Sequence, residues 1–550
     1  MRRLSVGLGL CVLGFAALGA AAGASVADAA RQGDREAVRA LLKQGGDVNA
    51  AQGDGMTALH WAASNNDVEL AGMLIHAGAN LRAATRINGY TPLLIAAKRG
   101  HAPVIRTLLE RGADPKATSV NGTAPLMLAA AAGSVEAATL LLDAGADVNA
   151  KESARGQTAI MFAAAYNRVP VLKVLAQRGA DVAATSKVVD LNSFTEEDGE
   201  RRPAQGSARQ PQVAGVDRNF VYTELIGYMG GFTPLLFAAR EGHVEAATAL
   251  LEAGADVNQV SAGDRTSPLL AATINGHFDL ARRFIDSGAD PRVAAENGAT
   301  PLYAALNCQW AQKSNYPQPR AYLQQKLTYL DLMTALLDKG ADPNARVNRK
   351  VWYSGYNSDL SGIDEIGATP FWRAAYASDT DAMKLLVARG ADPTIPTMKP
   401  AGRRLFTDGA REMPKDLSGL PAVPVGGPAV TVLHAATGVG YAEGFAANSH
   451  RIHPAGWMPA VKYLVEEIGI DVNARDHEGN TALHHAAARG DNEMILYLVS
   501  KGADVTSVNR EGLTTADMAN GPVQRTQPYP ETVALLMKLG SKNSNKCVSC

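Results

Sequence analysis

Cysteine, aromatic residues and net charge are all scarce in this chain. Its 550 residues include four cysteines and only 6% aromatics, and so few cysteines exclude a fold held together by disulfides. The formal net charge is −1, from 53 basic and 54 acidic residues. Because the basic surface of a nucleic-acid-binding protein is missing, no nucleic-acid partner is expected.

The short signatures of common enzymes are also missing. Neither G-x-x-x-x-G-K-[ST] nor G-x-S-x-G occurs, and the G-V-G at 438–440 follows no predicted strand, so it is not a dinucleotide fingerprint. His434, His450 and His453 are close in sequence, but no carboxylate or cysteine stands beside them at ligand spacing. The sequence therefore predicts no catalytic residue, no metal site and no cofactor.

What the chain does contain is a repeated phrase, Gly-Ala-Asp. Neighbouring copies often begin 33 or 34 residues apart, and a fixed period of that size indicates one supersecondary unit repeated in a stack. Partial matches to the phrase begin at Gly45, Gly78 and Gly469. The full copies begin at Gly112, Gly145, Gly179, Gly254, Gly288, Gly340, Gly390 and Gly502.

Residues 90–115 show what one repeat predicts. Thr91 can cap a helix through its hydroxyl, and Pro92 suits the first helical position. Gly100 ends this first helix, and a second helix carries the apolar residues of 104–109 inward. Gly112 can adopt the left-handed conformation that ends the second helix.

The first-helix phrase returns along the chain, as T-A-L-H-W-A-A at 57, T-A-I-M-F-A-A at 158, T-P-L-L-F-A-A at 233 and T-A-L-H-H-A-A at 481. Helix, turn, helix and loop in about 33 residues resembles the ankyrin repeat proteins. The resemblance implies an all-α solenoid of about twelve helix-turn-helix repeats from Val26 to Leu539, with a concave face of turns and first helices. It also implies a structural hydrogen-bonding role for His60, His434 and His484, and protein binding rather than catalysis.

The period is interrupted by insertions, the longest around 183–231. The predicted organisation is a signal peptide over 1–24, repeats over 25–182, an insertion over 183–231, repeats over 232–540 with insertions at 309–326, 346–367, 395–429 and 438–457, and a tail over 541–550.

The scarce aromatic residues gather in or beside these insertions. Insertions in repeat proteins often build the binding face, and Tyr and Trp are residues that anchor interfaces. The alternative, that the rings seal the loops onto the repeats, stays open. The partner-binding residues predicted on this basis are Trp310, Tyr316, Trp352, Tyr353, Tyr356, Tyr441 and Trp457.

The tail carries Cys547 and Cys550 as a C-x-x-C pair. Such a pair can close a small disulfide or take part in thiol exchange, and it matches a c-type haem motif, C-x-x-C-H, without the histidine. A redox or electron-transfer accessory is therefore the alternative hypothesis to a non-enzymatic protein-interaction scaffold. A local disulfide or two free thiols would have no such role.

The first residues read as a secretory signal peptide. Arg2 and Arg3 are followed by an apolar run over 4–21 and by the small-residue phrase Ala22-Gly23-Ala24. The protein is therefore expected to be exported, to the periplasm or outside the cell, without stable membrane insertion after cleavage. An uncleaved anchor helix is the alternative.

We expect the mature protein to begin near Ser25, because the cleavage phrase ends directly before it. Mass analysis of the N-terminal peptide of the native protein tests this expectation. A native chain in the cytoplasm that still begins at Met1 or Arg2 would contradict it.

Overall fold

The computed structural model describes residues 25–193, 222–310, 320–351, 363, 365–401, 416–440, 452–521 and 528–544. The predicted signal peptide and both tail cysteines lie outside the described residues. The chain divides into two compact units, Met1–Ala154 and Arg155–Cys550. The described residues form twelve successive pairs of helices, so the predicted all-α repeat fold and the number of repeats are confirmed.

The N-terminal unit contains repeats 1 to 4, and each has an inner helix followed by an outer helix. The pairs are α1 (Val26–Gln32) with α2 (Arg35–Lys43), α3 (Ala58–Ser64) with α4 (Val68–His76), α5 (Pro92–Arg99) with α6 (Ala102–Glu110), and α7 (Pro125–Ala132) with α8 (Val135–Asp143).

The C-terminal unit contains repeats 5 to 12. Its first repeats are α9 (Ala159–Ala165) with α10 (Val169–Gln177), α12 (Pro234–Glu241) with α13 (Val244–Glu252), α14 (Pro268–Ile274) with α15 (Phe278–Asp286), and α16 (Pro301–Trp310) with α17 (Tyr329–Asp338). Its last repeats are α18 (Pro370–Tyr376) with α19 (Thr380–Val387), α20 (Val432–Ala436) with α21 (Trp457–Lys462), α22 (Ala482–Ala488) with α23 (Asn492–Ser500), and α24 (Thr515–Ala519) with α25 (Pro530–Lys538).

The helix boundaries of repeat 3 follow from its capping residues. The Thr91 hydroxyl accepts the N–H of Leu94, and Pro92 occupies the first helical position of α5. Gly100 at φ 71° and Gly112 at φ 87° lie in the left-handed region that ends each helix. These four predictions about the helix boundaries of repeat 3 are confirmed.

Within each unit, the inner helix of a repeat packs against its own outer helix and against the inner helices of neighbouring repeats. In α5 the side chains of Leu93, Leu94, Ala96 and Ala97 are fully buried, and α5 packs against α3, α6 and α7. The alanines allow the inner helices to approach closely. Stability therefore comes from the contacts between repeats as well as those within each one.

Neighbouring repeats are also joined by hydrogen bonds at two places. One is the hairpin turn before each inner helix, called here the fingertip, where the Val120 N–H donates to the Asn88 carbonyl at 2.9 Å. The other follows the Gly-Ala-Asp turn, where the Asn258 side chain donates to the Gly288 carbonyl and accepts from the Asp290 N–H. These bonds set the spacing between successive repeats.

The longest insertion does not interrupt the stack of the C-terminal unit. Its described ends pair as two short antiparallel strands, β1 (Val188–Asp190) and β2 (Tyr228–Gly230), with the short helix α11 (Tyr222–Ile226) before β2. Beyond the ribbon, α9 packs against α12 and α10 against α13. Repeats 5 and 6 are therefore direct neighbours, although 56 residues separate the end of α10 from the start of α12.

Residues 416–421, called here the strap, contact repeats that are not their neighbours in sequence. The Leu417 N–H donates to the Arg510 carbonyl in the fingertip of repeat 12. In return the Arg510 guanidinium pairs with Asp416 and donates to the carbonyls of Leu420 and Pro421. The strap thus adds a further segment to the row of fingertips at the C-terminal end.

We expect Leu93→Ala to lower the free energy of unfolding by about 2–5 kcal/mol, because it removes a buried side chain and leaves a cavity. Leu93 is 1% exposed. Leu496→Ala is the matched control, since Leu496 is 50% exposed, and it should cost far less. Urea unfolding of the full chain measures both, and equal losses would contradict the assignment of Leu93 to the core.

Candidate functional site

The fifth residue of the inner-helix phrase separates the repeats into two groups. In the N-terminal unit it is a large apolar side chain left half-exposed in repeats 2 to 4, namely Trp61, Ile95 and Leu128. These three residues are called here the inner stripe. In the C-terminal unit the same position is half-exposed at Phe162, in repeat 5, and buried in repeats 6 to 12.

A chain of hydrogen bonds holds Trp61 in place. Its indole N–H donates to the Gln52 side-chain oxygen at 2.8 Å, and the Gln52 amide donates to Asp28 at 2.6 Å. Hydrogen bonds from Ser25 and Gln52 lower the pKa of Asp28, which therefore stays an acceptor. An aromatic side chain fixed in this way can contact a partner without losing rotamer freedom on binding.

The fingertips of repeats 3 and 4 add exposed apolar side chains beside the inner helices. Ile87 is 71% exposed and Val120 is 76% exposed. The Val120 side chain lies directly over Gly89, where a Cβ atom would stand only 3.0 Å from it. These two tips are therefore held against each other as part of one surface.

Cationic side chains accompany the apolar ones in the N-terminal unit. The Arg31 guanidinium lies 5.3 Å from the centre of the Trp61 ring, and the Lys98 ammonium lies 5.3 Å from that of Tyr90. Arg31, Lys98 and Arg86 are all exposed. The arrangement can bind an apolar segment and attract acidic groups next to it.

The structure corrects the expectation that the Trp310 ring is free to contact a partner. Trp310 is 5% exposed and donates its indole N–H to Asp379 at 2.8 Å. The Tyr329 hydroxyl donates to the same carboxylate oxygen at 2.6 Å, and burial together with the Asp379 charge raises the pKa of Tyr329. Trp310 therefore joins repeats 8 and 9, because Asp379 also caps helix α19.

Trp457 is half-buried at the start of α21, where its ring packs on Arg489 with the guanidinium carbon 3.9 Å from the ring centre. Arg489 in turn pairs with Asp491 at 2.7 Å. One face of Trp457 thus already has a partner within the chain. The remaining predicted partner-binding residues, Tyr316, Trp352, Tyr353, Tyr356 and Tyr441, lie outside the described residues.

The histidines of the T-x-L-H phrase hold the fold together, as the resemblance implied. The Nδ1 atom of His60 accepts the N–H of Thr57 at 3.1 Å, so its Nε2 carries the proton and donates to the Tyr90 carbonyl at 2.9 Å. Burial lowers the pKa of His60, and it lowers the pKa of His434 to about 4 and that of His484 to about 3. These imidazoles are therefore neutral at neutral pH.

One grouping was missed from the sequence. His434 lies close to Asp476 and His485, and the ligand atoms of all three are within 4.8 Å of one another. Asp476 follows His434 by 42 residues, so the spacing gave no signal. The signal available was the second histidine of T-A-L-H-H, which stands where most other repeats carry apolar residues and repeat 9 carries Arg373.

No helix in the described part of the chain has both the length and the apolar character needed to cross a bilayer.

Comparison with protein families finds the same unit over most of the chain. A model of ankyrin repeats in three copies matches residues 26–119, 114–186 and 235–347. A model of many ankyrin copies matches 446–499, and a single ankyrin repeat matches 366–398. The matched segments together cover well over half of the sequence.

Individual relatives share only a short stretch with this chain. Ankyrin repeat and SOCS box protein 3 of Homo sapiens is 41% identical over 91 residues, which are 16% of this chain and 18% of that protein. Palmitoyltransferase Hip14 of Drosophila melanogaster is 34% identical over 94 residues, 17% of this chain and 15% of that protein. Potassium channel AKT1 of Oryza sativa subsp. indica is 38% identical over 73 residues, 13% and 8% of the two chains. The chain spans less than a fifth of each relative.

We expect acid to destabilise the protein partly through His60. In the unfolded state, the His60 side chain takes up a proton as pH falls through about 6.5. In the folded state its pKa is lowered, so the imidazole stays neutral to a lower pH. Stability is therefore lost from about pH 6.5 down to the folded pKa, by at most about 1.4 kcal/mol per pH unit for one group.

His60→Gln provides the test, because glutamine does not titrate. Urea unfolding of both full chains between pH 7 and pH 5 should show the wild-type advantage shrinking as pH falls. Parallel pH curves for the two proteins would contradict the expectation.

Proposed function

The chain belongs to the ankyrin repeat family, and we propose that it is a non-enzymatic scaffold that binds a protein partner through the N-terminal unit. The observation that carries this proposal is the half-exposed inner stripe of Trp61, Ile95 and Leu128. Ankyrin repeats imply protein partners, and these partly exposed apolar side chains support a partner site on the N-terminal unit.

The stripe and its surroundings have the composition of a binding surface. A rigid aromatic residue stands beside aliphatic ones, and Trp is enriched among the residues that dominate binding energy. The fingertips Ile87 and Val120 widen the apolar surface, and neither is needed to bury the core. Large exposed apolar side chains that recur on consecutive repeats are better explained by a partner than by folding.

The same surface indicates the chemistry of the partner. Arg31 packs on Trp61, Lys98 packs on Tyr90, and Arg86 directly precedes Ile87. These cations favour a segment that carries apolar residues together with Asp or Glu. Its affinity would fall as salt concentration rises, because exposed charges are screened.

We place this binding after export, in the periplasm or outside the cell. The basic start at Arg2 and Arg3 and the apolar run that follows support this part of the proposal. The redox alternative depends on Cys547 and Cys550 and stays a prediction. The redox alternative predicts that changing both cysteines to serine abolishes activity while the protein still folds.

Site-specific photo-crosslinking tests the partner and the surface together. A benzophenone amino acid is placed at Ile87 or Val120 of the full chain, which is illuminated in the fraction that holds the native protein. We expect both positions to capture the same protein, identified by mass spectrometry. The matched control is Leu496, which is exposed on the outer helix α23 and should capture nothing specific.

A crosslinker at Trp352 tests the other predicted recognition region. Capture of one protein from Trp352 and none from Ile87 or Val120 would move the site to the insertions. Once a partner is known, Ile95→Ala should weaken binding by about 1–3 kcal/mol, the range of a truncated anchor residue. Unchanged affinity would overturn the role of the inner stripe.

A further inference from the structure

Two histidines and an aspartate meet inside the C-terminal unit. His434 belongs to the inner helix α20 of repeat 10, whereas Asp476 comes from the fingertip of repeat 11 and His485 from its inner helix α22. Their exposed fractions are 0%, 4% and 3%. One ligand atom from each lies within 4.8 Å of the other two, which is the set of donors that binds Zn²⁺ in proteins.

The carboxylate is already oriented toward the imidazoles. Oδ1 of Asp476 accepts the backbone N–H groups of Glu478 and Asn480 at 2.9 and 2.8 Å. Oδ2 accepts from His485 Nε2 at 3.1 Å and from the Asn480 side-chain amide at 3.2 Å. Hydrogen bonds to the other carboxylate oxygen are the kind of outer contact that fixes a metal ligand.

His434 differs from the other T-x-L-H histidines in a way that matters for metal binding. In His60 and His484 the backbone N–H of the capping threonine donates to Nδ1, so Nε2 must carry the proton. His434 does not accept the corresponding backbone bond, and its Nδ1 lies 2.7 Å from the Thr431 hydroxyl, a contact that His60 and His484 make in addition at 2.8 Å. A hydroxyl can donate or accept, so His434 can hold its proton on Nδ1 and offer Nε2 as a ligand.

Two other contacts between repeats that carry a T-x-L-H histidine, both within the described residues, lack this combination. At the positions of His434, Asp476 and His485, repeats 2 and 3 carry His60, Thr85 and Ile95, and repeats 11 and 12 carry His484, Asn509 and Met518. The same backbone hydrogen bond closes the fingertip turn at Thr85, Asp476 and Asn509, so an aspartate and a second histidine are not needed to form this contact.

We propose that His434 Nε2, His485 Nε2 and Asp476 Oδ2 bind a divalent transition-metal ion of the Zn²⁺ class. The ion replaces the hydrogen bonds from His485 to Asp476 and from His434 to the Asn480 carbonyl. Each imidazole stays neutral, because its proton moves from Nε2 to Nδ1 by exchange with water. The Asn480 carbonyl oxygen, 3.0 Å from His434 Nε2, is a candidate for a fourth position.

The site would join repeats 10 and 11, since each contributes a ligand. An ion that binds only the folded arrangement stabilises it in proportion to the logarithm of its concentration. The metal would therefore strengthen the stack at this contact, rather than perform chemistry in a buried position.

The test uses the full chain with Cys547→Ser and Cys550→Ser, so that tail thiolates bind no metal. After treatment with EDTA and dialysis, ZnCl2 is added alone. Calorimetry should show that each chain binds one equivalent of Zn²⁺ tightly, and the melting temperature should rise with Zn²⁺ concentration. Co²⁺ in its place should give the visible absorption of a four-coordinate site without a sulfur charge-transfer band.

Asp476→Asn and His485→Gln should each weaken Zn²⁺ binding by more than about 100-fold, beyond the 10–100-fold that an outer hydrogen-bonding partner contributes. His60→Gln is the matched control and should leave binding unchanged. If a variant does not fold, the Co²⁺ spectrum of the parent chain, which carries only Cys547→Ser and Cys550→Ser, still tests whether the site exists. Absence of the tight equivalent, or its persistence in folded Asp476→Asn, would overturn the proposal.

Discussion

The structure depends on one constraint, that an inner helix can bury its apolar face only against the neighbouring repeats. Leu93 and the alanines of α5 are buried in this way, and the same pattern holds along each unit. Because burial needs a fixed spacing, the hydrogen bonds that set the spacing recur with the helices. The Asn258 side chain joins repeats 6 and 7, and Asn344 makes the same pair of bonds to Gly390 and Asp392 across a long insertion.

The local parts of this fold could be read from the sequence because they depend on residues close together in the chain. Thr91, Pro92 and the glycines that end helices act within one turn, so their types and positions specify the boundaries. The fate of Trp310 depended on Asp379, 69 residues later. No spacing rule connects two such residues. The sequence therefore suggested that the Trp310 ring could contact a partner, whereas the structure buries it.

The candidate sites show the same division. The inner stripe recurs with the period of the repeat, so Trp61, Ile95 and Leu128 can be aligned by eye once the period is known. Their half-exposed state could not be predicted, because the same position is buried at Phe237 and Ala271 in the C-terminal unit. The meeting of His434 with Asp476 also needed coordinates, since it combines an inner helix with the fingertip of the next repeat.

The strap changes how the C-terminal end of the chain can come apart. In a stack where each repeat contacts only its neighbours, the last repeat can peel away first and the others can follow one at a time. Arg510 of repeat 12 is bound to Asp416, Leu420 and Pro421, which precede repeat 10. A pulling force on the C terminus is therefore carried directly to the segment before repeat 10, and the terminal repeats and the strap must separate in one step.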